Sequence, residues 1–210
     1  MAIRVLLADD HSVVRQGLKA LLERGGFDVV GEAENGQEAT CLARELHPNV
    51  VVLDFAMPHL NGIETTKKIL QESPKTKAIL LTIHNEDHYI LEALRAGVSG
   101  YLLKSQGAAD LVDAIHEVCR GAIYLSPRIS RAVVDAYLGK TELPFDPLSQ
   151  REREVLQLVA EGSSTKEIAT VLGISVKTAE SHRARVMEKL DIHETANLAR
   201  YAIRRGLVQP

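Results

Sequence analysis

Two carboxylates, Asp9 and Asp10, follow the apolar run 3–8, and a third, Asp54, closes the run Val50-Val51-Val52-Leu53. Lys104 closes a further run, Gly100-Tyr101-Leu102-Leu103. Short apolar runs that stop on polar residues read as buried parallel strands, because helices cover both faces of such a sheet. Ligands of open α/β sheets bind beyond the carboxyl ends of the strands. Three carboxylates and one ammonium are therefore expected in a single crevice. Carboxylates so close repel each other unless a hard dication joins them, and Mg2+ favours oxygen ligands and phosphoryl groups. The chemistry this set fits is acceptance of a phosphoryl group by an aspartate.

The elements that position these groups belong to a chain of 210 residues, long enough for one large or two small domains. At 45% apolar and 25% charged the composition is that of an ordinary globular protein. No apolar stretch approaches the about 20 residues of a membrane span, and the charged start MAIRVLLADD makes a poor signal peptide. Cys41 and Cys119 are distant and form no metal-like pair, so a reducing, cytoplasmic compartment is expected and a membrane partner is not. The formal charge of −3 gives no sign of nucleic acid. A local excess exists, however: between Lys166 and Arg205 eight Lys and Arg stand against five Asp and Glu.

Strand-like runs at 3–8, 29–33, 50–53, 78–82 and 100–103 alternate with stretches of helical spacing, such as Val14, Leu18, Leu21 and Leu22. That alternation implies a parallel sheet with right-handed crossovers. Gly121 ends the last of these helices, and Ser126-Pro127 can start a short one. Residues 139–147 carry Gly, two Pro and no helical period, and the domain boundary is placed there. The remainder reads as helix. Ser149-Gln150-Arg151-Glu152 and Ser164-Thr165-Lys166-Glu167 are capping-box patterns, Gly162 and Gly173 are stops, and Ser175 caps a polar helix from Val176 to about 190. Two helices around a short Gly-containing turn, the second polar, make a helix-turn-helix pattern.

Residues 1 to about 120 resemble a response-regulator receiver domain, and 146–210 resemble a LuxR-type helix-turn-helix; the whole is similar to the NarL/FixJ family of two-component response regulators. The resemblance rests on Asp9-Asp10, Asp54, Thr82 and Lys104 at separate strand ends, on Met57-Pro58 through Gly62, and on Gly100 to Lys104. It implies a CheY-like, flavodoxin-like doubly wound sheet of five parallel strands over 1–121, a linker with a short helix over 122–145, and a four-helix DNA-binding domain over 146–210.

The resemblance also implies roles. Asp54 is the nucleophile that takes a phosphoryl group from a phosphohistidine on a sensor histidine kinase. Asp10, assisted by Asp9, holds Mg2+ together with Asp54 and the Ala56 carbonyl. Lys104 pairs with a phosphoryl oxygen, Thr82 donates its hydroxyl to another, and Tyr101 swings inward as Thr82 moves, reshaping the helix near 86–96. Singly, each residue has a plainer explanation: Asp9-Asp10 as a helix cap, Asp54 as a turn residue, Thr82 and Tyr101 as packed strand residues. Their coincidence in one register decides against those explanations.

An enzyme is the competing class. Haloacid-dehalogenase-type phosphatases use a strand-end Asp with Mg2+ but need a second Asp two positions on; Ala56 stands there and cannot move a proton. Turnover is therefore not expected. His84 and His88 share the i, i+4 spacing of a zinc helix, but the segment is not His-Glu-x-x-His and has no third ligand, so both are read as loop and helix residues.

In the second half, Lys166-Glu167-Ile168-Ala169, Ile174-Ser175, Lys177-Thr178, His182 and Lys189-Leu190 match the LuxR-type pattern. The resemblance makes the helix from Val176 the recognition helix, with Glu180, Ser181 and Ala184 nearest the bases of double-stranded DNA. Lys166, Lys177, Thr178, His182, Arg183 and Arg185 are assigned to phosphate, which fixes position without reading sequence. Basic helix faces are usually only solvated, and here the helix-turn-helix spacing overrides that. Ala179 departs from the family's usual Val and is expected to face the domain core. The resulting expectation is a transcription factor switched by phosphorylation of Asp54 and forming a homodimer on activation. The runner-up is a regulator that binds DNA constitutively and ignores phosphate.

Overall fold

The computed structural model describes residues 2–83, 87–126, 129–131, 133–134, 138 and 147–208. Packing divides the chain into two compact units, residues 1–57 with 61–144 and residues 145–210 with 58–60. His84, Glu86, Pro127 and residues 139–146 lie outside the described residues, and with them most of the expected linker.

In the first unit the apolar runs form β1 (Arg4–Ala8), β2 (Asp28–Ala33), β3 (Val50–Asp54), β4 (Lys77–Thr82) and β5 (Gly100–Leu103). The helices α1 (Ser12–Arg24), α2 (Gly36–Leu46), α3 (Gly62–Glu72), α4 (Asp87–Arg95) and α5 (Ala108–Cys119) follow them in turn. A two-residue strand, β6 (Tyr124–Leu125), adds to the edge, giving the order β2-β1-β3-β4-β5-β6 with parallel pairing throughout. The sheet thus has six strands where five are expected. Gly121, at φ 92°, turns the chain after α5, and the Tyr124 N–H donates to the Ser99 carbonyl, which sets β6 beside β5.

Side chains alternate across the sheet. On β3, Val51 and Leu53 enter one core with Ala39, Ala43, Ile63, Ile69, Ile90 and Ala93, from α2, α3 and α4. Val50 and Val52 enter the other with Leu22, Leu111, Ala114, Ile115 and Val118, from α1 and α5. Burial on both faces explains why β3 reads as an unbroken apolar run.

The second unit is helical: α6 (Gln150–Ala160), α7 (Thr165–Leu172), α8 (Val176–Leu190) and α9 (Thr195–Arg204). Both capping boxes form, with Ser149 N–H donating to Glu152 Oε2 at 2.8 Å and Ser164 N–H to Glu167 Oε2 at 2.7 Å. Gly173, left-handed at φ 63°, ends α7, and the Ser175 side chain accepts from the Thr178 N–H to start α8. Val155, Leu156, Leu158, Val159, Ile168, Ala179, Val186, Leu198 and Ala202 make one core. Ala179 is fully buried in it, as expected of the small residue at that place.

Candidate functional site

In the sheet order, β2 and β3 lie on opposite sides of β1. The chain therefore leaves β1 and β3 in opposite directions, which opens a crevice at their carboxyl ends. Asp9 and Asp10 leave β1 into that crevice and Asp54 ends β3. Lys104 follows β5 and is tied down by its N–H, which donates to the Thr82 carbonyl at 2.7 Å. The four charged groups thus come from three strand ends and meet.

Asp54 is buried, only 5% exposed. Its Oδ1 accepts the Phe55 N–H at 2.8 Å. Its Oδ2 lies 3.0 Å from Lys104 Nζ, but outside hydrogen-bond angles. Burial pushes the carboxyl up to about 6; the Lys104 charge opposes the rise and the Asp9 charge adds to it. Asp9 is also buried, with Oδ2 accepting from Lys104 Nζ at 2.8 Å and Oδ1 from the His11 N–H at 2.8 Å. Desolvation works against the Lys104 ammonium, yet Asp54 and Asp9 outweigh it and raise its pKa. Asp10 is more open, with 30% of its side chain exposed.

Asp9, Asp10, His11 and Asp54 each bring one potential ligand atom within 4.8 Å of the others. Three of the four donors are carboxylate oxygens, the donor type a hard dication requires. Ala56 is buried beside them in sequence, Thr82 is fully enclosed at the end of β4, and Tyr101 is fully enclosed within the core of its sheet face. His88 falls in the first turn of α4, its ring 3.8 Å from that of Tyr89.

Two neighbours, Arg15 and His11, escape the sequence reading, and Gly62, named there only as the end of the stretch begun by Met57-Pro58, gains a steric role. Arg15 is 9% exposed; its Nη1 donates to the Asp9 carbonyl at 2.7 Å and its Nη2 to Glu34 Oε1 at 2.8 Å, lacing the β1 end to the β2 end. Its signal is a charge at i, i+3, i+7 with Leu18 and Leu22, on the apolar side of α1. His11 directs Nδ1 to Asp10 Oδ1 at 2.8 Å and Asp9 Oδ1 at 3.3 Å. Gly62, whose N–H donates to the Phe55 carbonyl at 2.8 Å, is where α3 presses on the end of β3. A Cβ there would overlap the Asp54 carbonyl and stand 2.7 Å from Leu80 Cδ2.

On the second unit, Lys177, Thr178, Glu180, Ser181, Ala184 and Arg185 of α8 are exposed, as is Lys166 of α7. His182 and Arg183 are half-buried, and Arg183 Nη2 donates to Thr195 Oγ1 at 2.9 Å, toward the start of α9. Thr178 Oγ1 lies 2.8 Å from Ser175 Oγ. At the far end of α8, Lys189 Nζ meets the buried Glu152 carboxylate at 2.7 Å, pinning α8 to α6. No helix among the described residues is long and apolar enough to cross a membrane.

Residues 5–116 match the family of the response regulator receiver domain, and 146–202 match the bacterial regulatory proteins of the luxR family. The chain is 40% identical over 209 residues to the transcriptional regulatory protein LiaR of Bacillus subtilis, covering 98% of this chain and 99% of that protein. It is 38% identical over 208 residues to the response regulator GacA of Pseudomonas protegens, with 98% of each covered. Among solved structures it resembles RcsB of Salmonella enterica serovar Typhimurium bound to a promoter in the presence of phosphomimetic BeF3−. There the identity is 30%, the TM-score 0.65, and the coverage 96% of this chain and 98% of that one. The chain belongs to the NarL/FixJ family of response regulators, a receiver domain followed by a luxR-type DNA-binding domain.

Proposed function

We propose that this protein is a DNA-binding transcriptional regulator switched by transfer of a phosphoryl group to Asp54 from a phosphohistidine of a sensor histidine kinase. The observation that carries the reading is a buried carboxylate, Asp54, facing Asp9 and held by one ammonium, Lys104, at the switch point of a parallel sheet. An Asp54 carboxylate oxygen attacks phosphorus; the P–N bond breaks and its electron pair returns to the kinase imidazole. Lys104 then moves from its carboxylate partners to a phosphoryl oxygen, as a point charge. Thr82, one strand away, donates its hydroxyl to another oxygen.

The oxygen-rich donor set fits a divalent ion. Asp9, Asp10, Asp54 and the Ala56 carbonyl would hold Mg2+. When bound, Mg2+ supplies positive charge against the transferring group. The chain's own contribution is placement. Arg15 and the His11 N–H fix Asp9, Gly62 lets α3 close on Asp54, and burial keeps water from the acyl phosphate. Ala56 supplies no acid or base where a phosphatase needs one, so the phosphorylated form persists rather than turning over.

The output lies on α8. Glu180, Ser181 and Ala184 face the bases, while Lys166, Lys177, Thr178, His182, Arg183 and Arg185 hold the backbone of double-stranded DNA. Pairing of two phosphorylated chains multiplies affinity by effective concentration, without new base contacts. The domain limits that go with this reading are 1–121, 122–145 and 146–210, in a cytoplasmic protein. Incubation with acetyl phosphate and Mg2+, followed by intact-mass measurement, tests the acceptor. One phosphoryl group is expected on the wild type and none on Asp54→Ala; an undiminished adduct on the variant removes Asp54 from the role.

A further inference from the structure

His11 occupies the N-cap of α1, a position where Ser, Thr, Asp or Asn would bond a backbone N–H of the first turn. Its side chain makes no such bond. The imidazole turns back instead, Nδ1 lying 2.8 Å from Asp10 Oδ1 and 3.3 Å from Asp9 Oδ1. Asp54, whose Oδ2 is buried and outside hydrogen-bond geometry, belongs to the same cluster, in which one ligand atom from each of the four residues lies within 4.8 Å of the others. Ligands about 2.1 Å from one ion stand about 3 Å apart when adjacent and about 4.2 Å apart when opposite. The 4.8 Å spread is slightly wider than one such sphere, so a small inward shift of these side chains closes it on a single ion, and the set includes a nitrogen.

Nitrogen changes which ion is preferred. Mg2+ holds to oxygen and water, whereas imidazole suits Co2+, Ni2+ and Zn2+. We propose that His11 is an inner ligand of this pocket for borderline dications, so that Co2+ or Zn2+ binds through His11 Nδ1 and the carboxylates while Mg2+ binds through the carboxylates alone. This rests on the reading of the acidic pocket as a dication site. In the ion-bound form the imidazole keeps one proton, on Nε2, and Nδ1 gives its lone pair to the ion. The geometry asks for little movement: 52% of the His11 side chain is exposed, and the His11 N–H already fixes Asp9 Oδ1 at 2.8 Å.

The test is calorimetric titration of the full chain with Mg2+ and, separately, with Co2+, for the wild type and for His11→Ala. The His11→Ala change is expected to weaken Co2+ binding about tenfold or more while Mg2+ binding moves less than about twofold. Because any substitution beside Asp10 can disturb the turn, the wild type is also followed by nitrogen-15 NMR of its histidines during Zn2+ addition. One imidazole Nδ1, lost from the spectrum of His11→Ala, should shift on binding. Equal weakening for both ions, no weakening for Co2+, or no shifted imidazole would overturn the assignment. A wild type that binds neither ion overturns it too, but through the pocket reading itself, which the Mg2+ titration isolates.

Discussion

The buried charge of Asp54 makes the ion-free protein unstable in a pH-dependent way. In the fold its carboxyl titrates at about 6, against 3.8 for an exposed group, with burial as the main cause. A folded pKa above the unfolded one stabilises the fold below the unfolded value, and that stabilisation disappears as pH rises through the folded one. The gap of about 2 units, at about 1.4 kcal/mol each, is a penalty of about 3 kcal/mol once the group is fully ionised. At about pH 5 the folded group is mostly protonated, and about half of the penalty remains. Asp54→Asn removes the charge at nearly constant shape. In the presence of a chelator the variant should therefore exceed the wild type by about 3 kcal/mol near pH 7.5 and by about half of that near pH 5. Urea unfolding at both pH values measures it. An equal gain at the two pH values, or a loss near pH 7.5, would refute the burial argument. Mg2+ should then restore the wild type and leave Asp54→Asn unchanged.

Gly62→Ala forces a Cβ onto the Asp54 carbonyl and should cost about 1–3 kcal/mol by thermal unfolding, with weaker Mg2+ binding as the carboxylate shifts. Arg15→Met strips a charged donor from the Asp9 carbonyl and should lower stability by about 2 kcal/mol, read by urea unfolding. Lys177→Ala should weaken binding to every DNA sequence and reduce the salt slope by about 1, whereas Glu180→Ala should change base preference in a selection experiment. Thr82→Ala should leave phosphorylation in place, read by intact mass, but weaken the DNA response to it.

Much of this architecture is legible because burial on both faces leaves a plain mark. β5 can be read residue for residue and β3 to within its last residue, Asp54, since two-sided packing demands continuous apolar runs such as Val50 to Leu53. The second unit is legible through its caps: Ser149, Ser164 and Ser175 each fall at the position their side-chain chemistry selects. β6 is not, because two residues, Tyr124 and Leu125, carry no period. Nor are contacts set by tertiary approach. The closeness of Gly62 to the Asp54 carbonyl depends on how α3 meets β3, and His11 turns toward Asp10 only because it leaves its cap position unused. Arg15 is intermediate: its place among Leu18 and Leu22 marks a buried charge, but its partners Asp9 and Glu34 come from two different strand ends.

In the proposed function, phosphate on Asp54 governs DNA binding by α8. The most direct measurement is selection from fragmented genomic DNA with Mg2+, in the presence and absence of beryllofluoride as a stable phosphoaspartate mimic, with sedimentation of the same samples. Tighter, sequence-selective binding and a dimer are expected only with beryllofluoride. Equal selective binding by both samples would contradict that function, leaving a DNA-binding regulator whose receiver pocket does not control it.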